Sequence, residues 1–272
     1  MSLSVEDLHV RLGSNHVLKG IDFNIDEGQR VAILGPNGCG KSTLLRTISG
    51  IIKPSSGAVR LEGEPLQSHR RRERARKVGL LNQADAIPMM TTVRDHVAIG
   101  RHPHRTYFRD ASNVDAECID ASIRLCEIEH LAERRVERLS GGERQRVRLA
   151  TLFAQAPGTL LLDEPLTGLD LEHRYALLHL LQDLNREQGK TVIVVLHDLE
   201  IAMRFFERLL VIHDGRLVAD GSPDEVMTTE LLETVFNIDA TVGREPLTDQ
   251  PVIICRRSNR PSSLSFPSTS QL

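Results

Sequence analysis

The stretch Gly35-Pro36-Asn37-Gly38-Cys39-Gly40-Lys41-Ser42-Thr43 has residue types suited to holding a phosphate chain. Its spacing is GxxxxGK[ST]. The glycines let backbone N–H groups turn inward and approach phosphate oxygens with no Cβ in the way. Lys41 can reach β- and γ-phosphates, and the Ser42 hydroxyl is placed for Mg2+. Cys39 reads as a small filler whose backbone does the work, with a reactive thiol near a helix N-terminus as the alternative. Two acids, Asp163 and Glu164, close the apolar run Leu160-Leu161-Leu162. Ligands of open parallel sheets lie beyond the carboxyl ends of the strands, so both acids are expected near the phosphates. Asp163 would hold Mg2+ through water, and Glu164 would polarise the attacking water as general base. His197 follows another apolar run, 192–196, where a neutral imidazole could bond the γ-phosphate or orient the water.

Such side chains need a scaffold of strands that end together. Val31-Ala32-Ile33-Leu34 reads as a buried parallel strand running into the glycine-rich loop. A helix from Lys41 follows, with Leu44, Leu45 and Ile48 on one face and Gly50 as its stop. Its positive N-terminus points at the same anion as the loop. Leu18, Ile21, Phe23 and Ile25 are spaced for a pleated surface ahead of a Glu27-Gly28 turn. Further strands are expected at 59–61, 78–81, 159–163 and 191–196, and a helix at 172–188. A hairpin over 208–220 turns at Asp214-Gly215, and Ser222-Pro223-Asp224-Glu225 opens a helix. From about 84 to 156 apolar residues recur at helical spacing (Ile119, Ile123, Cys126), which reads as a helical insertion. The expected fold is α/β. A phosphate-loop core has a mixed, largely parallel sheet, an N-terminal antiparallel β part and an inserted helical subdomain. One domain covers 1–240, with its core at 1–83 and 157–240 and the insertion at 84–156. Residues 241–272 form an extension, and its Ser- and Pro-rich end from 256 is expected to be disordered.

Composition narrows the function. The 272 residues carry 34 Lys+Arg against 37 Asp+Glu, a net charge of −3, which does not announce a nucleic-acid binder. The basic run over 70–77 has no interleaved aromatics, and the chain has no Trp and only 2 Tyr. It reads as a solvated helix face, with attraction to anionic lipid or acidic partner loops as the alternative. Four cysteines with no CxxC spacing point to a reducing compartment. The charged N-terminus has no apolar stretch, so no secretory leader is expected, and no apolar run approaches the ~18–20 residues of a membrane span. Work at a membrane would need a partner to hold the chain there.

Leu139-Ser140-Gly141-Gly142-Glu143 adds a feature that a generic phosphate-loop protein lacks. Taken in order with the phosphate loop, Gln83, Asp163-Glu164, Leu169-Asp170 and His197, it closely resembles the nucleotide-binding subunit of ABC transporters over about residues 1–240. The resemblance implies an ATP hydrolase coupled to transport, with ATP and Mg2+ bound. Gly35 to Thr43 looks like Walker A. Gln83 looks like the Q-loop glutamine that touches Mg2+ and senses the membrane partner. Ser140 to Glu143 matches the signature motif, 160–164 the Walker B strand, 166–170 the D-loop and His197 the switch histidine. Ser140 is also a good N-cap, and two glycines expose N–H groups at a helix start, which suits a second γ-phosphate receptor. In the family that receptor completes the site of a second subunit. A homodimer with two shared sites is therefore expected, docked on multi-span permease subunits at the cytoplasmic face of the inner membrane and served by an extracytoplasmic binding protein. Nucleic acid is not an expected partner. The segments 92–96, 100–105 and 195–199 resemble importers of ferric siderophores, haem and cobalamin. His96, His102 and His104 lack the acid pattern of a metal site. Leu12 stands before Gly13 where the family usually has an aromatic that stacks on adenine, so the base would rest on aliphatic surface. The D-loop reads Leu166-Thr167-Gly168 where these importers more often carry a Thr pair. A soluble nucleotide-gated clamp is the competing class, although such proteins usually carry two cassettes or a long coiled coil.

Overall fold

The computed structural model describes residues 2–82, 91–105, 113–247 and 249–256. Strands β1 (Leu3–Leu12) and β2 (Asn15–Ile25) lead to β3 (Arg30–Leu34) and helix α1 (Lys41–Ile48). Next come β4 (Ser56–Leu61), β5 (Glu64–Pro65), α2 (Arg71–Lys77) and β6 (Val78–Leu81). Helices α3 (Val93–Ile99), α4 (Asn113–Leu125) and α5 (Gly141–Gln155) precede β7 (Thr159–Asp163). Alternation resumes with α6 (Leu171–Gln188), β8 (Thr191–Val195), α7 (Leu199–Phe205), β9 (Arg208–His213) and β10 (Arg216–Gly221). The described chain ends with α8 (Pro223–Val226), α9 (Thr229–Thr234), β11 (Ala240–Arg244) and β12 (Pro251–Cys255).

An antiparallel sheet has the order β2-β1-β4-β5. The central sheet runs β10-β9-β3-β8-β7-β6, parallel except for β10 at its edge. Alternation along its strands builds two cores. Val31 and Ile33 face the antiparallel sheet and α1, whereas Ala32 and Leu34 face the helices on the other side. Strands covered on both faces need apolar side chains at every position, which explains the unbroken Leu160-Leu161-Leu162 and Val192-Ile193-Val194-Val195. All the parallel strands therefore end on one side of the sheet, and the catalytic candidates lie at those ends.

Helix α2 buries none of its residues, so the basic run is a largely solvated face, with a few ties to its neighbours. Arg76 donates to the Pro103 carbonyl at 2.9 Å, Lys77 pairs with Glu62, and Arg74 lies over Gly50. Residues 240–255, read without strands, form the β11–β12 hairpin. Ala240 is buried, Val242 and Ile253 pack on the helical-side core, and the Ile253 N–H donates to Glu200. Gln83 and the tail from 257 lie outside the described residues. Among the described residues no helix is long and apolar enough to cross a membrane.

Candidate active site

The loop between β3 and α1 is shaped by its glycines. Gly35 has φ +144, and a Cβ there would stand 2.0 Å from the Ile212 carbonyl oxygen, so β9 presses directly on the loop. At Gly40, φ +111, a Cβ would meet Leu18 at 2.7 Å. Gly38 has φ +79 with open space around it. Lys41 is 5% exposed, and its Nζ donates to the carbonyls of Gly35 at 2.8 Å and Pro36 at 2.9 Å. The ammonium is thus curled under its own loop. Cys39 is buried, with Sγ 4.0 Å from Lys41 Nζ, and burial pushes its thiol pKa up. An unreactive filler fits that environment.

Ser42, the second residue of α1, donates from Oγ to Asp163 Oδ1 at 3.0 Å. This bond joins the phosphate loop to the end of β7. Asp163 is 1% exposed, and among the described residues its Oδ2 has no hydrogen-bond partner. Burial pushes the Asp163 pKa up, against the opposing pull of the Ser42 bond. A buried carboxylate oxygen without a donor, beside a hydroxyl, is a donor set that fits a hard cation such as Mg2+. Thr43 follows in the same first turn of α1, and Asn37 lines the cleft above it.

Glu164 takes φ +52, a left-handed conformation rare for a side chain of this size. The chain bends sharply at the end of β7 there, and Glu164 Oε1 comes within 2.6 Å of His197 Nε2. His197 lies one residue beyond the end of β8, after Leu196, and Asp198 behind it caps α7 by accepting from the Ile201 N–H at 3.0 Å. The imidazole is thus carried on a rigid strand-to-helix junction. The Glu164 side chain is 16% exposed and that of His197 45%, so the pair lies at the mouth of the site. A cleft of about 160 Å³ is lined by Val17, Asn37, Gly38, the start of α1 and Glu164. Leu12, at the end of β1, is 47% exposed.

Ser140 caps α5 reciprocally. Its Oγ accepts from the Glu143 N–H at 3.3 Å, and Glu143 Oε2 accepts from the Ser140 N–H at 2.7 Å. These bonds hold the Glu143 carboxyl below its usual range. A Cβ at Gly141 would meet nothing within 4 Å, and one at Gly142 only the Gly168 carbonyl at 3.6 Å. Neither glycine has a positive φ. Among the described residues that line the phosphate-loop cleft, none belongs to 140–143.

The structure therefore groups Lys41, Ser42, Asp163, Glu164 and His197 at adjoining strand ends and leaves Ser140, Gly141 and Gly142 outside that cleft. Sequence reasoning missed Arg46, which donates to Asn82 Oδ1 at 3.4 Å and whose charge favours the ionised form of Asp163. Its place one turn after Ser42 on α1 is the signal that could have found it. Val17 carries no such signal, because only the tertiary fold brings it over the loop.

The family model described as ABC transporter matches residues 18–167. Ferric enterobactin transport ATP-binding protein FepC of Escherichia coli (strain K12) is 40% identical over 258 residues, covering 95% of each chain. Hemin import ATP-binding protein HmuV of Pseudomonas entomophila (strain L48) is 40% identical over 259 residues, covering 93% of this chain and all of the relative (100%). Among solved structures, the dimeric post-hydrolysis state of the ATP-binding cassette MJ0796 bound to ADP and Pi superposes with a TM-score of 0.73. It is 29% identical and covers 81% of this chain and 98% of that one.

Proposed function

Because this chain belongs to the ABC transporter family and is an ATP hydrolase of a transport system, we propose that two copies close head to tail around two ATP molecules. Each site would then combine the phosphate loop of one copy with Ser140, Gly141 and Gly142 of the other. One observation carries this reading. Gly141 and Gly142 sit in the first turn of α5, although glycine is a poorer helix former than alanine. Among the described residues, no backbone angle and no neighbour requires them to be glycine. Bare backbone that nothing internal needs is best explained by something arriving from outside, and N–H groups at a helix start suit a phosphate.

In this reading the loop from Gly35 to Gly40 wraps the phosphates, and Lys41 leaves its own carbonyls for the β- and γ-oxygens. Ser42 and Asp163, together with Gln83, would hold Mg2+, whose charge would offset that of the phosphates. Glu164 takes the proton of the attacking water. His197, hydrogen-bonded to Glu164, orients that carboxylate and the γ-phosphate. Leu12 and Val17 offer aliphatic surface to the base. The catalytic means are positioning and charge stabilisation.

The ATPase domain would span 1–240, with its core at 1–83 and 157–240 and a helical insertion at 84–156 that carries the groove for the permease. The segments 92–96 and 100–105, and relatives named for ferric enterobactin transport and hemin import, favour a ferric siderophore, haem or cobalamin compound as cargo. A permease would hold the protein at the cytoplasmic face of the inner membrane, and a binding protein outside would deliver the cargo. The direct test is Glu164→Gln. It is expected to keep ATP affinity, lose turnover by at least roughly 100-fold and run as an ATP-stabilised dimer in gel filtration. Normal turnover would remove the general-base role. Reconstitution in vesicles with the cognate permease and binding protein, scored for ATP-driven uptake of the three cargo classes, tests the cargo.

A further inference from the structure

The turn after α3, Gly100-Arg101-His102-Pro103-His104, reaches the far end of α5. Arg101 Nη1 donates to the Ala154 carbonyl at 2.8 Å, and His104 Nε2 donates to the Gln155 carbonyl at 2.9 Å. Carbonyls in the last turn of a helix have no intrahelical partner and attract cations. Arg101 Nε also donates to Asp115 Oδ1 of α4 at 2.7 Å, with both side chains 7% exposed. The backbone closes on the same helix, since a Cβ at Gly100 would stand 2.2 Å from the Thr151 carbonyl oxygen. That helix end is tied to the central sheet as well. Gln155 Nε2 donates to the carbonyls of Ala75 at 2.6 Å and Val78 at 3.2 Å, and Arg76 Nε donates to Pro103.

Three elements thus meet at one point: the start of α4, the end of α5 and the α2–β6 junction. Helix α5 carries Ser140-Gly141-Gly142 at its opposite end. Its 15 residues span roughly 22 Å, so a tilt of about 5° here displaces the other end by on the order of 2 Å. We propose that Arg101 and His104 are positioning residues, which set the angle of α5 and so the pose of Ser140, Gly141 and Gly142 against nucleotide on a second copy. The proposal rests on the shared-site reading above. Arg101 and Asp115 form a buried ion pair, so a single truncation would strand a charge and disrupt the fold. The paired variant Arg101→Met/Asp115→Leu removes both charges together.

The test uses that variant and His104→Leu, each alone for kcat and KM and each in the Glu164→Gln background for ATP-driven dimerisation. Affinity of the separate subunit for ATP and the melting temperature are followed in parallel. Expected are ATP affinity within twofold of the parent, kcat lowered tenfold or more and dimerisation requiring at least tenfold more protein. His104→Gln, which can still donate to the Gln155 carbonyl, is expected to recover half or more of the loss seen in His104→Leu. Unchanged kcat and dimerisation in both variants would overturn the proposal. So would a fall in kcat matched by equal losses of ATP affinity and melting temperature, which is damage to the fold alone. If Glu164→Gln itself fails to dimerise with ATP, the shared-site reading falls, and this inference with it.

Discussion

Glu164 is held in a left-handed backbone conformation that costs a side chain about 1–3 kcal/mol. The neighbouring β7 and β8 sustain it, and the return is a carboxylate 2.6 Å from His197 at the mouth of the phosphate cleft. Its identity could be read from the sequence, because an acid after an apolar run falls at a strand end whatever surrounds it. Its partnership with His197 could not, because strand order decides which ends are neighbours, and β8 lies beside β7. Leu12 is the residue proposed to carry the base. With 47% of its surface exposed and no aromatic at that position, it would give a base aliphatic contact but no stacking. Leu12→Tyr is expected to tighten ATP relative to GTP by roughly fivefold or more, read by competition binding of the two nucleotides. Equal affinities in both proteins would show that the base does not rest there.

At the scale of elements, α5 couples two roles of Ser140. The hydroxyl caps the helix, and in the shared-site reading it also meets a phosphate. Substitution separates the two. Ser140→Ala should lose about 1 kcal/mol in urea unfolding together with dimer turnover, whereas Ser140→Asn should keep the cap and lose turnover alone. A cap-only role predicts full activity in the asparagine variant. The packing of α3 on α5 gives a pH dependence. His96 is 8% exposed, its Nδ1 has no hydrogen-bond partner among the described residues, and Arg148 of α5 faces it. Burial first, then Arg148, lowers its pKa. The unfolded chain therefore binds a proton that the folded chain refuses. Stability is full above about pH 6.5, the unfolded value, and falls as pH drops toward the lowered folded value. Melting temperature should decline between pH 7.5 and 5, and His96→Leu should flatten part of that decline. An unchanged slope in His96→Leu would place the acid sensitivity elsewhere. Sequence reading singled out 92–96 and 100–105 without a physical role for them. The ties of Arg101 and His104 to α5 cross some fifty positions of chain, and no local pattern encodes such a contact.

For the whole molecule, one chain offers a phosphate loop and, at the start of α5, residues 140–143 that are not among the described residues lining that cleft. If two copies share each site, ATP turnover per chain should rise with protein concentration and level off once dimers dominate, measured by phosphate release across a dilution series. A flat profile from nanomolar to micromolar protein would argue for self-sufficient single chains. The sequence by itself determined the phosphate loop, the strand-end acids, the cap at Ser140 and the layered α/β class. Each of these is written in short-range chemistry: glycine angles, a helix start, an alternation of period two or an unbroken apolar run. Only the tertiary structure decided that Ser42 bonds Asp163, that His197 meets Glu164, that Arg46 and Val17 join the site, and that residues 240–255 fold back as a hairpin on α7. Those contacts depend on which strands become neighbours and which faces are buried together. Chain topology sets that, and it has no signature in any window of adjacent residues.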